Sequence, residues 1–425
     1  FLIIEISRFL KKREVKGFLP FKMMKYLNVK KDLYWVGALD HNLRVFDIIM
    51  KTPYGTSYNS YVIKGSEKIA IFETVKEEFF DEYIERLKSL HIDIKNVDYI
   101  IVSHTEPDHA GSIGKILELA PKAKVIASPM ALKFIKGIVN KDFESIQVCD
   151  GDCISLGNKT LKFFSVPQLH WPDTIYTYIE EDKTLITCDS FGSHYCFDKM
   201  FDDLIVDKSN YMEALEHYFN CIIAPFKPFV LKAINKIENL DIDVICPGHG
   251  PILRENPKKI IEIYRKWSTP KPKNDIKKAT VFYVSAYGYT KMLAEAIVDG
   301  IKDGNLEKID VKLYEITSVE QSKLLDEIVQ SDAILFGSPT ILAELLEPVR
   351  ELLARLNPVI HGGKIAGAFG SYGWSGEAVP RIESRLKELR MKMPLESLSV
   401  NFKPSEEELK KAFEYGKGIA SCLLK

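Results

Sequence analysis

The sequence predicts two α/β units in tandem, the first built of sheet layers flanked by helices and the second a doubly wound parallel sheet. Three observations predict this. Up to about residue 269, short runs rich in β-branched and aromatic residues dominate, with helical stretches between them. Beyond that point strand and helix alternate regularly. Between the halves, Thr269-Pro270-Lys271-Pro272-Lys273-Asn274-Asp275 carries prolines and charges and no apolar face, which marks a linker.

In the first half, strands are predicted at Leu33–Ala38, Val45–Lys51, Tyr61–Ile63, Ile69–Phe72, Tyr99–Ser103, Lys124–Ala127, Leu161–Val166, Ile175–Ile179, Thr184–Thr187 and Val244–Cys246. Helical periodicity falls at Phe79–Leu90, Gly111–Leu119, Met130–Val139 and Tyr211–Phe219. In the second half, apolar strands at Ala279–Ser285, Val311–Glu315, Ala333–Gly337 and Lys364–Gly370 are each followed by a helix. Those helices are Lys291–Asp303, Ser318–Gln330, Leu346–Leu356 and Ala378–Lys392. Continuous apolar strands with helical crossovers are the pattern of a parallel sheet covered on both faces. Residues 1–22 read as an extension of uncertain origin, because their basic residues follow the apolar start and Met23-Met24 precedes the first strand-like run. The expected division is 23–269 for the first domain, 270–278 for the linker and 279–425 for the second domain.

Bulk properties exclude several classes. The 425 residues carry 58 basic and 59 acidic side chains, a formal net charge of -1. That balance supplies no field for gathering nucleic acid or an anionic membrane surface. No apolar run reaches the length of a membrane span. The seven cysteines contain no C-x-x-C pair, which argues against zinc ribbons and a built-in rubredoxin-type centre and fits a reducing cytoplasm.

The densest chemical signal is His104-Thr105-Glu106-Pro107-Asp108-His109, directly after the apolar strand Tyr99–Ser103. Loops leaving the carboxyl ends of strands hold side chains in fixed convergence. Further metal-capable residues follow strands at His170, Asp189 and His249, the last between two glycines. Singly, each could be a satisfied buried polar residue. Together they make four imidazoles and three carboxylates, enough for two metal ions sharing a bridge.

This set resembles the metallo-β-lactamase superfamily, with an informative departure. Zinc hydrolases of that superfamily carry His-x-His-x-Asp-His, whereas here the second position is Glu106. A carboxylate in place of an imidazole hardens the site and favours iron over zinc. Three carboxylates against a diferrous pair leave about +1 locally. With Asp40-His41-Asn42, Gly55–Tyr61 and Cys188-Asp189-Ser190-Phe191-Gly192, the pattern is similar to the flavodiiron proteins from about residue 28 to the end. The resemblance implies a metallo-β-lactamase-like αββα sandwich followed by a flavodoxin-like domain. It implies two Fe, one held by His104, Glu106 and His170 and the other by Asp108, His109 and His249, with Asp189 bridging. It also implies that His41 and Tyr195 line the substrate pocket. Asp173 and His194 are candidates for orienting the ligand imidazoles.

In the second half, Ser285-Ala286-Tyr287-Gly288-Tyr289-Thr290 lies between a strand and a helix, where hydroxyls and backbone N–H groups make a phosphate cradle. It lacks the dinucleotide fingerprint and the Walker lysine, and resembles a flavodoxin phosphate loop. Ser338-Pro339-Thr340 and Ser371-Tyr372-Gly373-Trp374 follow two further strands, near the switch point where such folds hold FMN. Tyr372 and Trp374 offer faces for an isoalloxazine ring. After Thr340 the chain departs from the family with Ile341-Leu342-Ala343-Glu344. This implies a more apolar flavin edge, and a Glu344 turned inward would disfavour an anionic reduced flavin.

By resemblance, then, the chain is a reductase of O2 to water and/or NO to N2O, fed through FMN by an external donor, usually rubredoxin. Because the two cofactors of one subunit lie far apart in this family, a head-to-tail homodimer or a dimer of dimers is implied. Two rival readings are a zinc hydrolase with a passenger flavodoxin domain and a non-catalytic O2 or NO sensor. Glu106 counts against the first, and a complete ligand set joined to an electron-input domain counts against the second.

Overall fold

The computed structural model describes residues 26–47, 50–270, 276–303, 305 and 307–425. The expectation for residues 1–22 and most of the linker stretch lie outside the described residues. Contacts cluster the chain into two units that meet at Thr269 and Pro270.

The first unit is a sandwich of two sheets. One has seven strands, in the order Leu27–Lys30, Leu33–Trp35, Tyr61–Lys64, Ile69–Phe72, Tyr99–Ile101, Lys124–Ala127 and Ser145–Gln147. The other has five, Cys153–Ser155, Thr160–Ser165, Ile175–Ile179, Thr184–Cys188 and Val244–Pro247. Side chains alternate across a strand, and neighbouring residues duly divide between two cores. Ile63, Phe72, Ile101 and Ile186 lie in the core between the sheets, where Trp35 and Phe163 join them. Val62, Ile71, Ile100 and Leu185 lie in an outer core with Tyr83, Leu87, Ile234 and Tyr264 from covering helices. Strands buried on both faces need apolar residues at successive positions, which is why these runs read as continuous. The layers are thus helix, sheet, sheet, helix.

Two predicted strands divide, and Val45–Lys51 becomes the antiparallel pair Val45–Phe46 and Met50–Lys51. Leu33–Ala38 becomes Leu33–Trp35, paired with Tyr61–Lys64, and Ala38–Asp40, paired with Thr56–Tyr58. The break falls at Gly37, where a Cβ would stand 2.2 Å from the Tyr58 carbonyl oxygen. Only a residue without a side chain lets the two backbones come that close.

The second unit is a five-stranded parallel sheet in the order Ile309–Glu315, Lys277–Tyr283, Ala333–Gly337, Ile365–Tyr372 and Leu398–Asn401. Val281, Leu335 and Phe369 face one core with Ile297 and Ile419 of the helices Tyr289–Lys302 and Glu406–Leu424. Phe282, Ile334 and Phe336 face the other with Ile328, Leu352 and Ile382. The last strand and the last helix are not among the elements the sequence predicts. That helix opens on a capping box, in which the Ser405 hydroxyl accepts the Glu408 N–H and the Glu408 carboxylate accepts the Ser405 N–H.

Candidate metal centre and flavin site

Four strand ends deliver the metal-capable side chains, His170 coming from the loop after Thr160–Ser165. Beyond Tyr99–Ile101 the Ser103 N–H donates to Glu73 Oε1 at 2.9 Å, and His104 follows. Pro107 opens a short helix, Pro107–Ala110, that carries Asp108 and His109. The N–H groups of His109 and Ala110 donate to the Glu106 carbonyl at 3.0 and 2.8 Å, closing this loop on itself. Asp189 follows Thr184–Cys188, and His249 follows Val244–Pro247 in a turn where Gly250 adopts φ 75°.

The seven side chains converge as two groups around Asp189. Its Oδ2 lies 3.0 Å from His170 Nε2 and 3.5 Å from His104 Nε2, and Glu106 Oε2 lies 2.8 and 3.3 Å from the same two nitrogens. Its Oδ1 lies 3.0 Å from His109 Nε2 and 3.5 Å from His249 Nε2, and Asp108 Oδ2 lies 3.5 and 3.0 Å from those. Each oxygen of one carboxylate therefore serves a separate pair of imidazoles. His249 Nδ1 donates to the Ser57 carbonyl at 2.6 Å, which leaves its Nε2 facing Asp108.

This arrangement fits a pair of cations. The centre is buried, and both Asp108 carboxylate oxygens, Asp189 Oδ1 and His109 Nε2 have no hydrogen-bond partner. Burying charged acceptors without donors is costly unless a cation or protons neutralise them. Protons on the imidazoles are one answer. Burial pulls His170 down, yet Asp189 and Glu106 outweigh it and raise its pKa to about 9. His104 and His109 are likewise raised: burial is overcome by Cys188 and Asp189 for the first, and by Asp108, Cys188 and Asp189 for the second. The imidazoles in turn hold Glu106 and Asp189 below the usual carboxylate range against the opposing effect of burial. Hard carboxylate oxygens mixed with imidazoles suit iron as the metal answer.

The second unit opens a cavity of about 330 Å³ at the carboxyl ends of its strands. Of the expected flavin residues, Tyr287, Tyr289, Pro339, Thr340, Ser371, Tyr372, Gly373 and Trp374 line it. Ser285, Gly288, Thr290 and Ser338 do not, because each is engaged in building the loops. Ser285 Oγ accepts the Lys291 N–H at 3.3 Å, Thr290 shares a 2.9 Å hydroxyl contact with Ser371, and Ser338 Oγ accepts the Leu346 N–H at 3.0 Å. Gly288, at φ 81°, is the N-cap of Tyr289–Lys302 and brings no side chain over the helix end, so that Ser285 takes only the Lys291 N–H of the first turn. Free N–H groups at that end suit a phosphate. Trp374 and Tyr287 are 82% and 80% exposed, a large aromatic area for a planar ring. Glu344 is turned away from the cavity, pairing with Arg381 and with Arg350 at 3.1 Å.

Known proteins combine the same two halves. A family model described as ODP family beta lactamase matches residues 56–250, and one described as flavodoxin matches residues 281–416. The chain is 42% identical to the flavo-diiron protein FprA2 of Clostridium acetobutylicum, over 94% of this chain and 100% of that one. The chain belongs to the flavodiiron protein family. A further relative is the nitric oxide reductase of Moorella thermoacetica, 37% identical over 92% of this chain and 96% of its own. Among solved structures, the rubredoxin oxygen:oxidoreductase of Desulfovibrio gigas is similar at a TM-score of 0.67 and 30% identity, with 94% of this chain and 98% of that one covered. The flavodiiron protein of Giardia intestinalis is similar at 0.64 and 29%, with 94% and 97% covered.

The remaining expected residues of this flavodiiron chain fall outside the two groups. His41 is half exposed and pairs with Asp198 at 2.9 Å. Tyr195 packs among Tyr54, Phe197 and Tyr211. The cavity of about 440 Å³ that reaches Asp108 is lined instead by Leu43, Val45, Phe46, Asp47, Tyr58 and Lys76. A hairpin-borne carboxylate such as Asp47 gives no periodic or motif signal, so sequence reasoning passes over it. Asp173 touches no ligand imidazole: its Oδ2 accepts the hydroxyl of Thr105, between two of the metal-facing residues, at 2.7 Å. His194 meets the His249 ring edge-on, centroids 5.1 Å apart, and its Nδ1 meets Thr56 Oγ1 at 2.8 Å.

Proposed function

We propose that this chain is a gas reductase that uses a diiron centre and FMN to reduce O2 to water, NO to N2O, or both. The observation that carries the reading is the division of Asp189, one oxygen to His104 and His170 and the other to His109 and His249. His104, Glu106 and His170 would hold one iron, Asp108, His109 and His249 the other, with Asp189 between them. The chemistry a diiron pair supplies when bound is reversible one-electron change at each ion, delivered together to a small diatomic gas. The chain's own contribution is placement. Glu106 and Asp108 keep hard negative charge on each side, which favours iron. Three of the four imidazoles, His104, His109 and His249, are buried, and a cavity reaches the site at Asp108. Tyr372 and Trp374 would flank the flavin ring, while the N-terminal end of Tyr289–Lys302 would receive its phosphate.

Relatives named nitric oxide reductase and rubredoxin oxygen:oxidoreductase support both gases. The donor we propose is rubredoxin, since neither matched unit is itself a rubredoxin or an NADH-binding module. No helix among the described residues is long and apolar enough to cross a membrane, in keeping with a cytoplasmic site of action. A head-to-tail homodimer, or a dimer of two such dimers, would bring one subunit's flavin beside the other's iron, and an active monomer on gel filtration would overturn that part. The deciding experiment is metal and flavin analysis of protein purified without oxygen. About two irons and one FMN per chain, followed by O2 or NO consumption with reduced rubredoxin, is the expected result. Zinc with little flavin would favour the hydrolase. Bound iron and FMN without turnover would favour the sensor.

A further inference from the structure

Cys188 ends the strand Thr184–Cys188 and immediately precedes Asp189. It is buried, with φ 47°, a left-handed backbone that non-glycine residues adopt only when their surroundings require it. The surroundings here are explicit. The parallel ladder to Val244–Pro247 shifts register between Ile186 and Cys188, and the Cys188 carbonyl accepts the Gly248 N–H at 2.5 Å. This turn points the sulfur at His104, whose Nδ1 lies 3.1 Å from Sγ.

The other nitrogen of that ring, Nε2, faces Glu106 at 3.3 Å and Asp189 at 3.5 Å. When Nε2 gives its lone pair to a metal, the neutral ring carries its proton on Nδ1, aimed at sulfur. Metal-binding imidazoles usually donate that proton to a carboxylate, a carbonyl or water, which fixes the ring and strengthens it as a ligand. His249 follows this rule with the Ser57 carbonyl at 2.6 Å. A thiol sulfur is a weaker acceptor.

We propose that Cys188 is a positioning residue for His104, fixing its tautomer and ring plane while leaving it a poorer electron donor than His249. The two metal positions are therefore electronically unequal, the one beside His104 being the softer-backed. The proposal rests on the reading of the centre as a metal pair, and the test separates the two. Metal identity in the wild-type protein tests that reading. Cys188 is tested by comparing variants with wild type in chelator extraction, on the ferrous protein and on a Co(II)-substituted one.

Cys188→Ala should lose one of the two ions roughly 10-fold more readily, with flavin content unchanged. Cys188→Ser, which keeps a hydrogen-bonding group, should hold both ions near the wild-type level but change the Mössbauer signature of one iron only. A Cys188→Ser protein matching wild type in both measurements overturns the proposal, whether or not Cys188→Ala folds. So does a sulfur neighbour in the X-ray absorption of the wild-type metal, which would make Cys188 a ligand.

Discussion

A Cβ on Gly248 would stand 2.7 Å from Cε1 of His109, and 3.0 Å from Oδ1 of Asp189. The turn before His249 is thus packed directly against the metal-facing groups, and a single added methyl has nowhere to go. Overpacking of this kind costs about 1–3 kcal/mol, less than the stability of a typical domain. Gly248→Ala is therefore expected to fold and bind flavin while its metal affinity falls roughly 10–100-fold. Metal analysis of the purified variant checks this, and full occupancy would contradict it.

Asp189 serves both groups, whereas Glu106 serves only one. Asp189→Ala should empty both positions and Glu106→Ala should chiefly weaken one. Both are expected to lower gas reduction by at least about 100-fold, with FMN retained because it belongs to the other unit. Turnover near the wild-type rate in either variant would refute the ligand assignment.

Trp374 is 82% exposed and lines the cavity of the second unit, so its removal should leave the fold intact. Loss of one aromatic partner is worth about 0.5–1.5 kcal/mol beyond area. Trp374→Ala should therefore weaken FMN binding up to roughly tenfold, read by flavin fluorescence on dilution. An unchanged dissociation constant would remove Trp374 from the flavin site.

His361, buried in the second unit, gives a pH dependence. Burial pushes its pKa below the ordinary value, a hydrogen bond with Asn357 opposes this, and Lys364 adds to it. A depressed folded pKa means that the unfolded chain takes up the proton first. The stability it contributes is present above about pH 6.5 and is lost as pH falls through the folded value. Thermal unfolding should fall with acidification in this range, and less steeply in His361→Gln. Parallel curves for the two proteins would exclude the effect.

Where each residue's role depends on neighbours in the chain, the sequence is informative. The run from His104 to His109 declares itself because strand, turn and short helix are local, and the α/β class follows from apolar runs whose successive residues face two cores. Residues whose role depends on a partner far along the chain are less legible. His41 stands beside Asp40 in the sequence, but its partner Asp198 lies far along the chain. Glu344 looks able to reach the flavin but is held by Arg350 and Arg381. Leu33–Ala38 looks continuous because nothing in its composition reveals the approach of Tyr58 to Gly37.

By itself, then, the sequence determined the two α/β classes, the stock of imidazoles and carboxylates and the loops able to cradle a phosphate. These are set by periodicity and by chemistry carried on short segments. Tertiary structure alone decided that Asp189 divides its oxygens between two groups, that Cys188 stands behind His104, and that Asp47 rather than His41 lines the cavity at Asp108. Those relations join strands and loops tens of residues apart. They depend on sheet register and close packing, which no local pattern encodes.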